Sequence, residues 1–452
     1  MKIIVVGCGK IGTTIVASLI SEGHNVIAID KNPSVIEEIT NVYDVMGVCG
    51  NGADCETLEE AGIADTELFV SVADSDEMNM LACFLAKKMG ASYTIARIRN
   101  PEYNDKSLGF MRHQLGIDMS INPELLAARE FYRLLKLPSA AKVETFSGRN
   151  FEMVEIKLKS DSVLDGLSLI EMRKRFQVNV LVCIVQRGDE VFIPDGNFVL
   201  KSEDRIGLTA KPAEILKFFK MLGIMKKQAK DVMILGASKT AYYLAKMLLS
   251  GGSNVKIIEL NPDKCLQFSE SLPGAVIING DGAHQELLME EGIKDTDAFV
   301  SMTGMDEENI LISYFASTMG VPKIITKANR SEFIHIARKL GAESIVTPKK
   351  IIADVLVRYA RGLQNTIGSK IETLYQLMDG KAELLEFIVQ PDCKICGIPF
   401  KELNTRQGTL IAGIIRNRKA ILPSGDDYLQ ENDKVIIISS TPGMTDLTDI
   451  VI

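Results

Sequence analysis

Hydrophobic residues in the first 121 positions form short continuous runs that alternate with helical patterns. KIIVVG (2–7) and TELFVSVA (66–73) are rich in β-branched residues, whereas IGTTIVASLISEG (11–23) has the apolar spacing of a helix. Strands that are apolar throughout and alternate with helices are typical of a parallel sheet covered on both faces. Asp54 and Asp76 stand where helix N-caps are expected.

The chain contains this pattern twice. VMILGASKTAYYLAKMLLSGGSNVKIIELNP (232–262) matches IIVVGCGKIGTTIVASLISEGHNVIAIDKNP (3–33) without a gap. A second match aligns CGNGADCETLEEAGIADTELFVSVADSDEMN (49–79) with INGDGAHQELLMEEGIKDTDAFVSMTGMDEEN (278–309). A long self-match of this kind indicates an internal duplication, which sets the architecture of the whole chain.

The segments between the two copies are repeated as well. Residues 178–210 match residues 409–440, and each segment has a Pro-x-Gly turn and then an aspartate, Asp204 or Asp433, before its last strand. The predicted fold class is α/β, a tandem duplication in which a Rossmann-like, doubly wound parallel-sheet domain is followed by a small α+β domain. The predicted domains are 1–122, 140–224, 229–348 and 370–452.

The first copy carries a phosphate-binding pattern between its first strand and first helix. Gly7, Gly9 and Gly12 have the G-x-G-x-x-G spacing, and Asp30 ends the next strand. The glycines permit a tight turn, close approach of backbone N–H groups to a pyrophosphate, and packing of helix on strand. An acid at Asp30 accepts hydrogen bonds from ribose hydroxyls and repels a 2′-phosphate. The pattern therefore predicts NAD(H) rather than NADP(H).

The second copy departs from this pattern. It keeps Gly236, but Ser238 replaces the second glycine and Ala241 the third, while Glu259 matches Asp30. Alanine is accepted at the third position. Serine places a Cβ where the backbone approaches phosphate, although its hydroxyl has hydrogen-bonding capacity. Two hypotheses stay open: a site for a different or more weakly held nucleotide, and a structural copy kept for packing.

Further candidate contacts follow from the rule that ligands lie at the carboxyl ends of parallel strands. In the first copy the residues at these ends are Ala73, Asp74 and Arg97, and in the second copy they are Thr303, Gly304 and Lys327. Arg97 is either a phosphate partner or part of a surface salt bridge. Lys10 and Lys239 place a cation beside both turns.

Composition excludes several classes of protein. The 452 residues carry a formal net charge of −8, which does not favour nucleic acid as a partner. No apolar run reaches the length of a membrane-spanning helix. The N-terminus is interpreted as a first strand and not as a signal peptide, so we expect a cytosolic protein.

The cysteines and histidines give little indication of a metal site or a catalytic site. Of eight cysteines, only Cys393 and Cys396 have metal or redox spacing, and the chain has no second pair to complete a zinc site. We therefore expect no metal and a solvated or loosely buried pair. The four histidines are predicted to be surface or helix residues, and none has a neighbour that suggests a catalytic pair. They are His24, His113, His284 and His335.

The order of the four domains and three motifs carry a family resemblance. GCGKIG with Asp30, SDEMNMLACFLAKKMGA (75–91) and IARIRNPEY (95–103) resemble the TrkA family, the peripheral subunits of Trk-type potassium uptake systems, over essentially the full chain. The resemblance implies two N-terminal RCK (KTN) domains, each followed by an RCK C-terminal domain. It also implies a regulator that is not an enzyme, lying in the cytoplasm at the inner face of the membrane.

The resemblance further implies ligands and partners. NAD(H) is expected at the first site, and ATP/ADP or NAD(H) at the second. The expected partners are a membrane-embedded potassium-translocating subunit of the TrkH type and further copies of the chain in a dimeric or tetrameric ring. The residues carried over by position are Gly7, Cys8, Gly9, Lys10, Ile11, Gly12, Asp30, Ala73, Asp74, Arg97, Gly236, Ala237, Ser238, Lys239, Thr240, Glu259, Thr303, Gly304 and Lys327.

Two other functions compete with this interpretation. One is an NAD-dependent oxidoreductase with an unrecognised substrate domain, which requires catalytic side chains within 141–222. The other is a soluble redox or nucleotide sensor that acts on a protein other than a transporter. Which nucleotide activates, and whether the small domains bind a further regulator such as a cyclic dinucleotide, stays open at this point.

Overall fold

The structure is a computed structural model, and it falls into two compact units. These are Met1–Arg129 with Thr347–Ala360, and Glu130–Val346 with Arg361–Ile452. None of the described helices is long and apolar enough to cross a membrane. Positions 101 and 102 of the IARIRNPEY motif lie outside the described part of the chain. The structure describes residues 1–100, 103, 105–137, 139–146, 151–225, 228–364, 370–391, 393–441, 443–444 and 446–452.

The first α/β domain is built on a six-stranded parallel sheet. Its strands are β1 (Lys2–Val6), β2 (Asn25–Asp30), β3 (Met46–Cys49), β4 (Leu68–Ser71), β5 (Tyr93–Arg97) and β6 (Met119–Ile121). Its helices are α1 (Lys10–Ser21), α2 (Pro33–Val42), α3 (Cys55–Glu60), α4 (Asp76–Lys88), α5 (Asp105–Leu115) and α6 (Pro123–Lys136). The strand order β3-β2-β1-β4-β5-β6 reverses between β1 and β4, which is where such sheets bind ligands.

The second α/β domain repeats this topology in the order β14-β13-β12-β15-β16-β17. Its strands are β12 (Asp231–Leu235), β13 (Asn254–Glu259), β14 (Ala275–Asn279), β15 (Ala298–Ser301), β16 (Lys323–Lys327) and β17 (Ser344–Val346). Its helices are α9 (Lys239–Ser250), α10 (Pro262–Ser271), α11 (Gln285–Glu290), α12 (Asp306–Thr318), α13 (Ser331–Lys339) and α14 (Pro348–Gln364). The central strands β4 and β15 are buried at every position, as their continuous apolar sequence predicts.

Each small domain contains a five-stranded antiparallel sheet, and the two strand orders are equivalent. The first comprises β7 (Lys142–Phe146), β8 (Phe151–Lys157), α7 (Leu169–Phe176), β9 (Leu181–Arg187), β10 (Glu190–Phe192), β11 (Arg205–Ala210) and α8 (Pro212–Met221). The second comprises β18 (Lys370–Leu377), β19 (Ala382–Ile388), β20 (Thr409–Arg416), β21 (Lys419–Ile421) and β22 (Lys434–Ser439). The predicted fold class is thereby confirmed.

The two small domains share one hydrophobic core. Phe151 and Ile184 of the first domain pack in the same cluster as Leu384 and Ile436 of the second. The hydroxyl of Thr209 donates to the carbonyl oxygen of Ala412 at 2.8 Å within this core. The repeated sequence therefore forms an internal pair of small domains, because each sheet covers the apolar face of the other.

The aspartates predicted in the polar turns have a structural role that the sequence did not suggest. Asp204 is buried and accepts two hydrogen bonds from the Arg187 guanidinium, both at 2.8 Å. Asp433 forms the same bidentate pair with Arg416, at 2.9 and 2.7 Å. Planar two-bond pairing is the strongest geometry for these groups. Both small domains thus fix the start of their last long strand by the same ion pair.

Helix α14 lies for most of its length outside the compact unit that contains the second parallel sheet. The Tyr359 hydroxyl in α14 is in the first compact unit, where burial and then the charge of Asp118 raise its pKa to about 12. In the second unit, the buried Lys323 ammonium donates to the carbonyl oxygen of Ala140, just beyond α6, at 2.7 Å. The placement of α14 in the first unit was not predicted from the sequence.

Candidate nucleotide sites

Two glycines of the first turn have no room for a side chain. Gly7 adopts a φ of +87°, and a Cβ there would lie 2.6 Å from the backbone nitrogen of Ala73. A Cβ on Gly12 would lie 2.0 Å from the carbonyl oxygen of Gly7. These contacts fit the expected roles of the outer glycines, which are the tight turn and the close packing of α1 on the strand.

Gly9 faces open space instead. It is the N-cap of α1, provides no side-chain capping bond, and a Cβ there would meet nothing within 4 Å. The first N–H groups of a helix lack intrahelical partners, and together with the helix dipole they favour an anion. The first turn therefore leaves room for a phosphate at a helix N-terminus.

The remaining predicted residues of this turn differ in what they offer a ligand. The Cys8 thiol is buried, lies 3.7 Å from the carbonyl oxygen of Ile29, and has a pKa raised to about 12, chiefly by burial. It therefore faces the sheet as a neutral group. Lys10 is exposed at the first position of α1, and Ile11 is half-buried.

Asp30 organises the turn from the end of β2. One carboxylate oxygen accepts the backbone N–H of Cys8 at 2.7 Å, and the other accepts the N–H of Asn32 at 2.9 Å. Each oxygen retains a lone pair, because a carboxylate has about four acceptor positions. Asp30 therefore holds the glycine turn and keeps acceptor capacity for a ribose hydroxyl.

Asn79, which sequence reasoning missed, ties the ends of β4 and β5 together. Its buried amide donates to the carbonyl oxygens of Ala73 at 3.0 Å and Arg97 at 2.9 Å, and it accepts the Ser71 hydroxyl at 2.9 Å. This side chain fixes two of the predicted site positions. The signal in the sequence was its recurrence in the second copy, as Asn309.

Arg97 is a buried cation at the end of β5. It is 5% exposed, and its Nε atom has no hydrogen-bond partner among the described residues. The carboxylate of the fully exposed Asp74 lies 3.9 Å from an Nη atom of Arg97. Burial, and then the charge of Arg99, lowers its pKa. Because a guanidinium stays charged even so, Arg97 provides positive charge that the described residues only partly compensate.

The second turn has the same backbone conformation as the first, but a side chain occupies the position that is open at Gly9. Gly236 has a φ of +98°, and the N–H of Ala237 donates to Glu259 at 2.6 Å, as Cys8 does to Asp30. Ser238 is the N-cap of α9, and its hydroxyl accepts the N–H of Ala241 at 3.2 Å. The serine therefore satisfies a helix N-terminal donor that Gly9 leaves available. Lys239 is exposed and Thr240 is buried.

The strand ends of the second copy are also tied by an asparagine. Asn309 accepts the N–H of Thr303 at 2.8 Å and donates to the carbonyl oxygen of Lys327 at 3.1 Å. The Lys327 ammonium donates to the carbonyl oxygen of Thr303 at 2.9 Å, and burial lowers its pKa. Gly304 has open space at the position of a Cβ. The cation that replaces Arg97 is thus bound to the protein itself.

Carboxylates accumulate around the second site. Burial, followed by the charge of Asp281, raises the pKa of Glu308, and Glu259 adds to the effect. The first copy has Asn51 in place of Asp281 and Met78 in place of Glu308. Only the first site has Asp74, where the second has Gly304. The second site still has more carboxylates at these positions, which disfavours a phosphate group.

The loops after β3 and β14 approach the glycine turns closely. A Cβ on Gly52 would lie 2.2 Å from a methyl carbon of Val6, and one on Gly282 would lie 2.1 Å from a methyl carbon of Leu235. No role for Gly52 or Gly282 was predicted from the sequence. Because neither glycine has room for a Cβ, both loops lie directly against the carboxyl end of a strand, β1 in the first copy and β12 in the second.

Three sequence expectations outside the turns can be compared with the structure. Asp54 is the N-cap of α3, as predicted, but Ser75 and not Asp76 caps α4. Asp76 instead accepts the backbone N–H groups of Arg99 and Asn100. The surface prediction for His24 was wrong, because its side chain is buried between α1 and β2. Within the described ranges, no cluster of histidine, cysteine and acidic residues has the composition of a metal site.

Comparison with known proteins places this geometry in a family. The TrkA-N domain family matches residues 3–123 and 232–348, and the TrkA-C domain family matches residues 153–223 and 384–451. A Trk system potassium uptake protein TrkA homolog from Archaeoglobus fulgidus is 31% identical over 439 residues, which is 97% of each chain.

Solved structures support the same fold. The crystal structure of the GsuK RCK domain has a TM-score of 0.63 at 16% identity and covers 97% of this chain and 92% of its own. The GsuK channel bound to NAD has a TM-score of 0.64 at 16% identity and covers 97% of this chain and 76% of its own. The resemblance seen in the sequence motifs is confirmed, and the chain belongs to the TrkA family.

Proposed function

We propose that this chain is the nucleotide-sensing regulatory subunit of a potassium uptake system, and that it binds NAD(H) as a signal at the first turn. The observation that carries the proposal is the open helix N-terminus at Gly9, set beside the carboxylate of Asp30. The relative from Archaeoglobus fulgidus is named as a potassium uptake protein, and the structural neighbour was solved with NAD.

The first site contains residues suited to each portion of a dinucleotide. The backbone at Gly7, Gly9 and Lys10 holds the pyrophosphate, and Asp30 accepts a ribose hydroxyl. Arg97 supplies a cation near the strand ends, with Ala73 and Asp74 beside it. A 2′-phosphate would meet the Asp30 carboxylate, so NAD(H) is selected over NADP(H).

The second site is proposed to bind ATP/ADP or NAD(H) more weakly than the first binds NAD(H). Its helix N-terminus is capped by Ser238, its cation is held by Thr303, and its carboxylates repel phosphate. Each feature lowers the gain that a nucleotide obtains on binding. Glu259 remains available to a ribose in the way that Asp30 does.

The proposed regulation requires the protein to adopt two states, and the residues of helix α14 are divided between the two compact units. Its residues up to Ala360 belong to the compact unit that contains the first site. The next residue, Arg361, forms a buried ion pair with Glu383 of β19 at 2.9 Å. A ligand shifts such a coupled system only by its difference in affinity between two states. NAD⁺ and NADH differ in charge at the nicotinamide, which permits different shifts.

The proposed partner is a membrane-embedded, potassium-translocating subunit of the TrkH type. The chain would lie in the cytoplasm against the inner face of the membrane and assemble with further copies into an RCK ring. The two small domains already pair within one chain. Copurification with a multi-spanning membrane protein supports this partner, whereas copurification with a soluble target alone would favour a sensor of another kind.

The decisive experiment is titration of NADH into the wild type and two matched variants. Gly9→Asp puts a carboxylate where the phosphate would lie and should weaken NADH binding at least about a hundredfold, since like charges about 4 Å apart repel by several kcal/mol at an effective dielectric constant near 20. Ser238→Asp makes the same change at the second turn and should leave the high-affinity phase intact. Unchanged NADH affinity in Gly9→Asp would refute the first site.

The competing oxidoreductase hypothesis predicts a different result. Such an enzyme would consume NADH steadily with some metabolite and would need a proton donor beside the nicotinamide. The regulator predicts stoichiometric binding, no turnover, and a nucleotide-dependent change in potassium flux when the membrane subunit is present. Steady NADH oxidation that Gly9→Asp abolishes would overturn the regulatory proposal.

A further inference from the structure

The turn that follows β19 brings two cysteines together. The backbone N–H of Cys396 donates to the carbonyl oxygen of Cys393 at 3.2 Å, which closes a four-residue turn. Such a turn holds its first and fourth Cα atoms within about 7 Å of each other. Disulfide-bonded cysteines have Cα separations of roughly 4.4–6.8 Å, so the turn places this pair close to bonding range.

The two sulfurs differ in their surroundings. Both side chains are half-buried, and the backbone around Cys396 is fixed by a β-bridge to Leu429 and by a hydrogen bond from Gly397 to the Leu429 carbonyl oxygen at 3.0 Å. Burial, then a hydrogen bond with Cys393, raises the pKa of Cys396 to about 12. The raised pKa favours the protonated form of Cys396, so we assign the first attack to Cys393, and the single variants described below test this order.

The first small domain shows that this turn does not need cysteines. Its equivalent positions are Ser162 and Asp165, and the N–H of Asp165 donates to the Ser162 carbonyl oxygen at 3.0 Å. The Asp165 carboxylate accepts the N–H of Ser202 at 2.7 Å. The second copy gives up this side-chain bond and keeps the turn. The cysteine pair is thus a local difference within a conserved backbone.

We propose that Cys393 and Cys396 form a reversible redox site, modified by low-molecular-weight disulfides such as oxidised glutathione. The Cys393 thiolate attacks one sulfur of the reagent, forms a mixed disulfide and releases one glutathione thiolate, which takes up a proton. Cys396 then loses its proton and attacks the Cys393 sulfur, releasing the second glutathione. The protein gives up two electrons and two protons, and one oxidised glutathione becomes two reduced molecules.

The test is incubation of the full-length protein with oxidised glutathione, followed by alkylation of free thiols and peptide mass spectrometry. The expected product is an intramolecular Cys393–Cys396 disulfide, which dithiothreitol reverses. Recovery of both cysteines in alkylated form, or of a lasting mixed disulfide on wild-type Cys393, would overturn the proposal. The exposed Cys49 and Cys55 report in the same sample that the reagent was active.

Two single variants establish the order of attack. Cys396→Ser removes the resolving thiol, so the mixed disulfide on Cys393 should accumulate. Cys393→Ser removes the attacking thiol, so Cys396 should stay free under the same conditions. Circular dichroism confirms that both variants are folded. If Cys396 alone takes up glutathione as readily as Cys393 alone, the two thiols are independent and the paired site is refuted.

Discussion

The two glycine turns of this chain have the same backbone and different chemistry. In each, a glycine with positive φ starts the turn and an acid at the end of the second strand accepts the next N–H group. At Gly9 the helix N-terminus is open, whereas the Ser238 hydroxyl occupies the equivalent position. Duplication has preserved the scaffold while the ligand-facing groups have diverged.

The difference teaches which parts of such a site belong to the fold. The asparagine that ties the fourth and fifth strands is present in both copies, at Asn79 and Asn309. The cation at the end of the fifth strand is present in both but paired differently. Groups that hold strand ends are therefore shared, and groups that set the charge at the ligand position are not.

The largest expected effect comes from the third glycine. Gly12→Ala places a Cβ 2.0 Å from the Gly7 carbonyl oxygen, so α1 must move. We expect a loss of about 3 kcal/mol in the free energy of unfolding and a loss of NADH binding, because overpacking displaces the turn. Denaturant unfolding and NADH titration measure both.

The matched control is the reverse change in the second copy. Ala241→Gly should cost only about 1 kcal/mol, the penalty of glycine in a helix. The second turn is slightly wider, since the nearest atom to a Cβ on Gly236 lies at 3.2 Å instead of 2.6 Å for Gly7. If Ala241→Gly stabilised the protein instead, the second turn would be as tightly packed as the first, and the difference in width would have no consequence.

The next largest effect is expected from removing the side-chain amide of Asn79. Asn79→Ala leaves the buried carbonyl oxygens of Ala73 and Arg97 without this donor, and we expect a loss of about 2 kcal/mol in stability. NADH affinity should fall as well, because Ala73 adjoins Gly7. Asn309→Ala should cost a similar amount by thermal unfolding without changing NADH affinity. A fall in affinity for both variants would place NADH in both sites.

Sequence alone was enough for the architecture and for the tight packing of the first glycine turn. The self-match fixed the four-domain order, and the spacing of Gly7, Gly9 and Gly12 predicted a turn whose packing the structure shows residue by residue. Those features depend on local backbone geometry, which leaves a periodic pattern in the chain.

What sequence reasoning missed depends on contacts between distant segments. The Asn79 amide bonds and the Arg187–Asp204 and Arg416–Asp433 pairs join residues whose spacing has no period. The same holds for the placement of α14 in the first unit. The cap of α4 shifted from Asp76 to Ser75 because Asp76 is used by two backbone N–H groups from beyond β5. Serine and aspartate are both favourable N-cap residues, so only these tertiary hydrogen bonds determine which of the two neighbours caps α4.

A smaller effect is expected from converting the second site toward the first. The variant Ser238→Gly with Asp281→Asn and Glu308→Met copies the residues of the first site and removes two carboxylates. NADH affinity at the second site should rise about tenfold, which corresponds to about 1.4 kcal/mol. The cost in stability should be a few tenths of a kcal/mol at the cap. Titration in a Gly9→Asp background isolates this site, and an unchanged or lower affinity would exclude charge as the cause of the difference.

The smallest expected effect is a pH dependence of stability, which should distinguish the Lys327 ammonium from the Arg97 guanidinium. Burial lowers the pKa of Lys327 in the folded protein below its ordinary value of 10.5. Between the folded pKa and 10.5 the unfolded chain binds more protons than the folded one, so this lysine makes stability rise with pH. Lys327→Met should remove that rise, by less than about 1 kcal/mol, when denaturant unfolding is compared at neutral pH and near 10.5. Arg97→Met is the matched control, and its effect on stability should be the same at both pH values, because the guanidinium stays charged throughout. A pH-independent difference between wild type and Lys327→Met would mean that Lys327 is as well solvated in the folded state as in the unfolded chain.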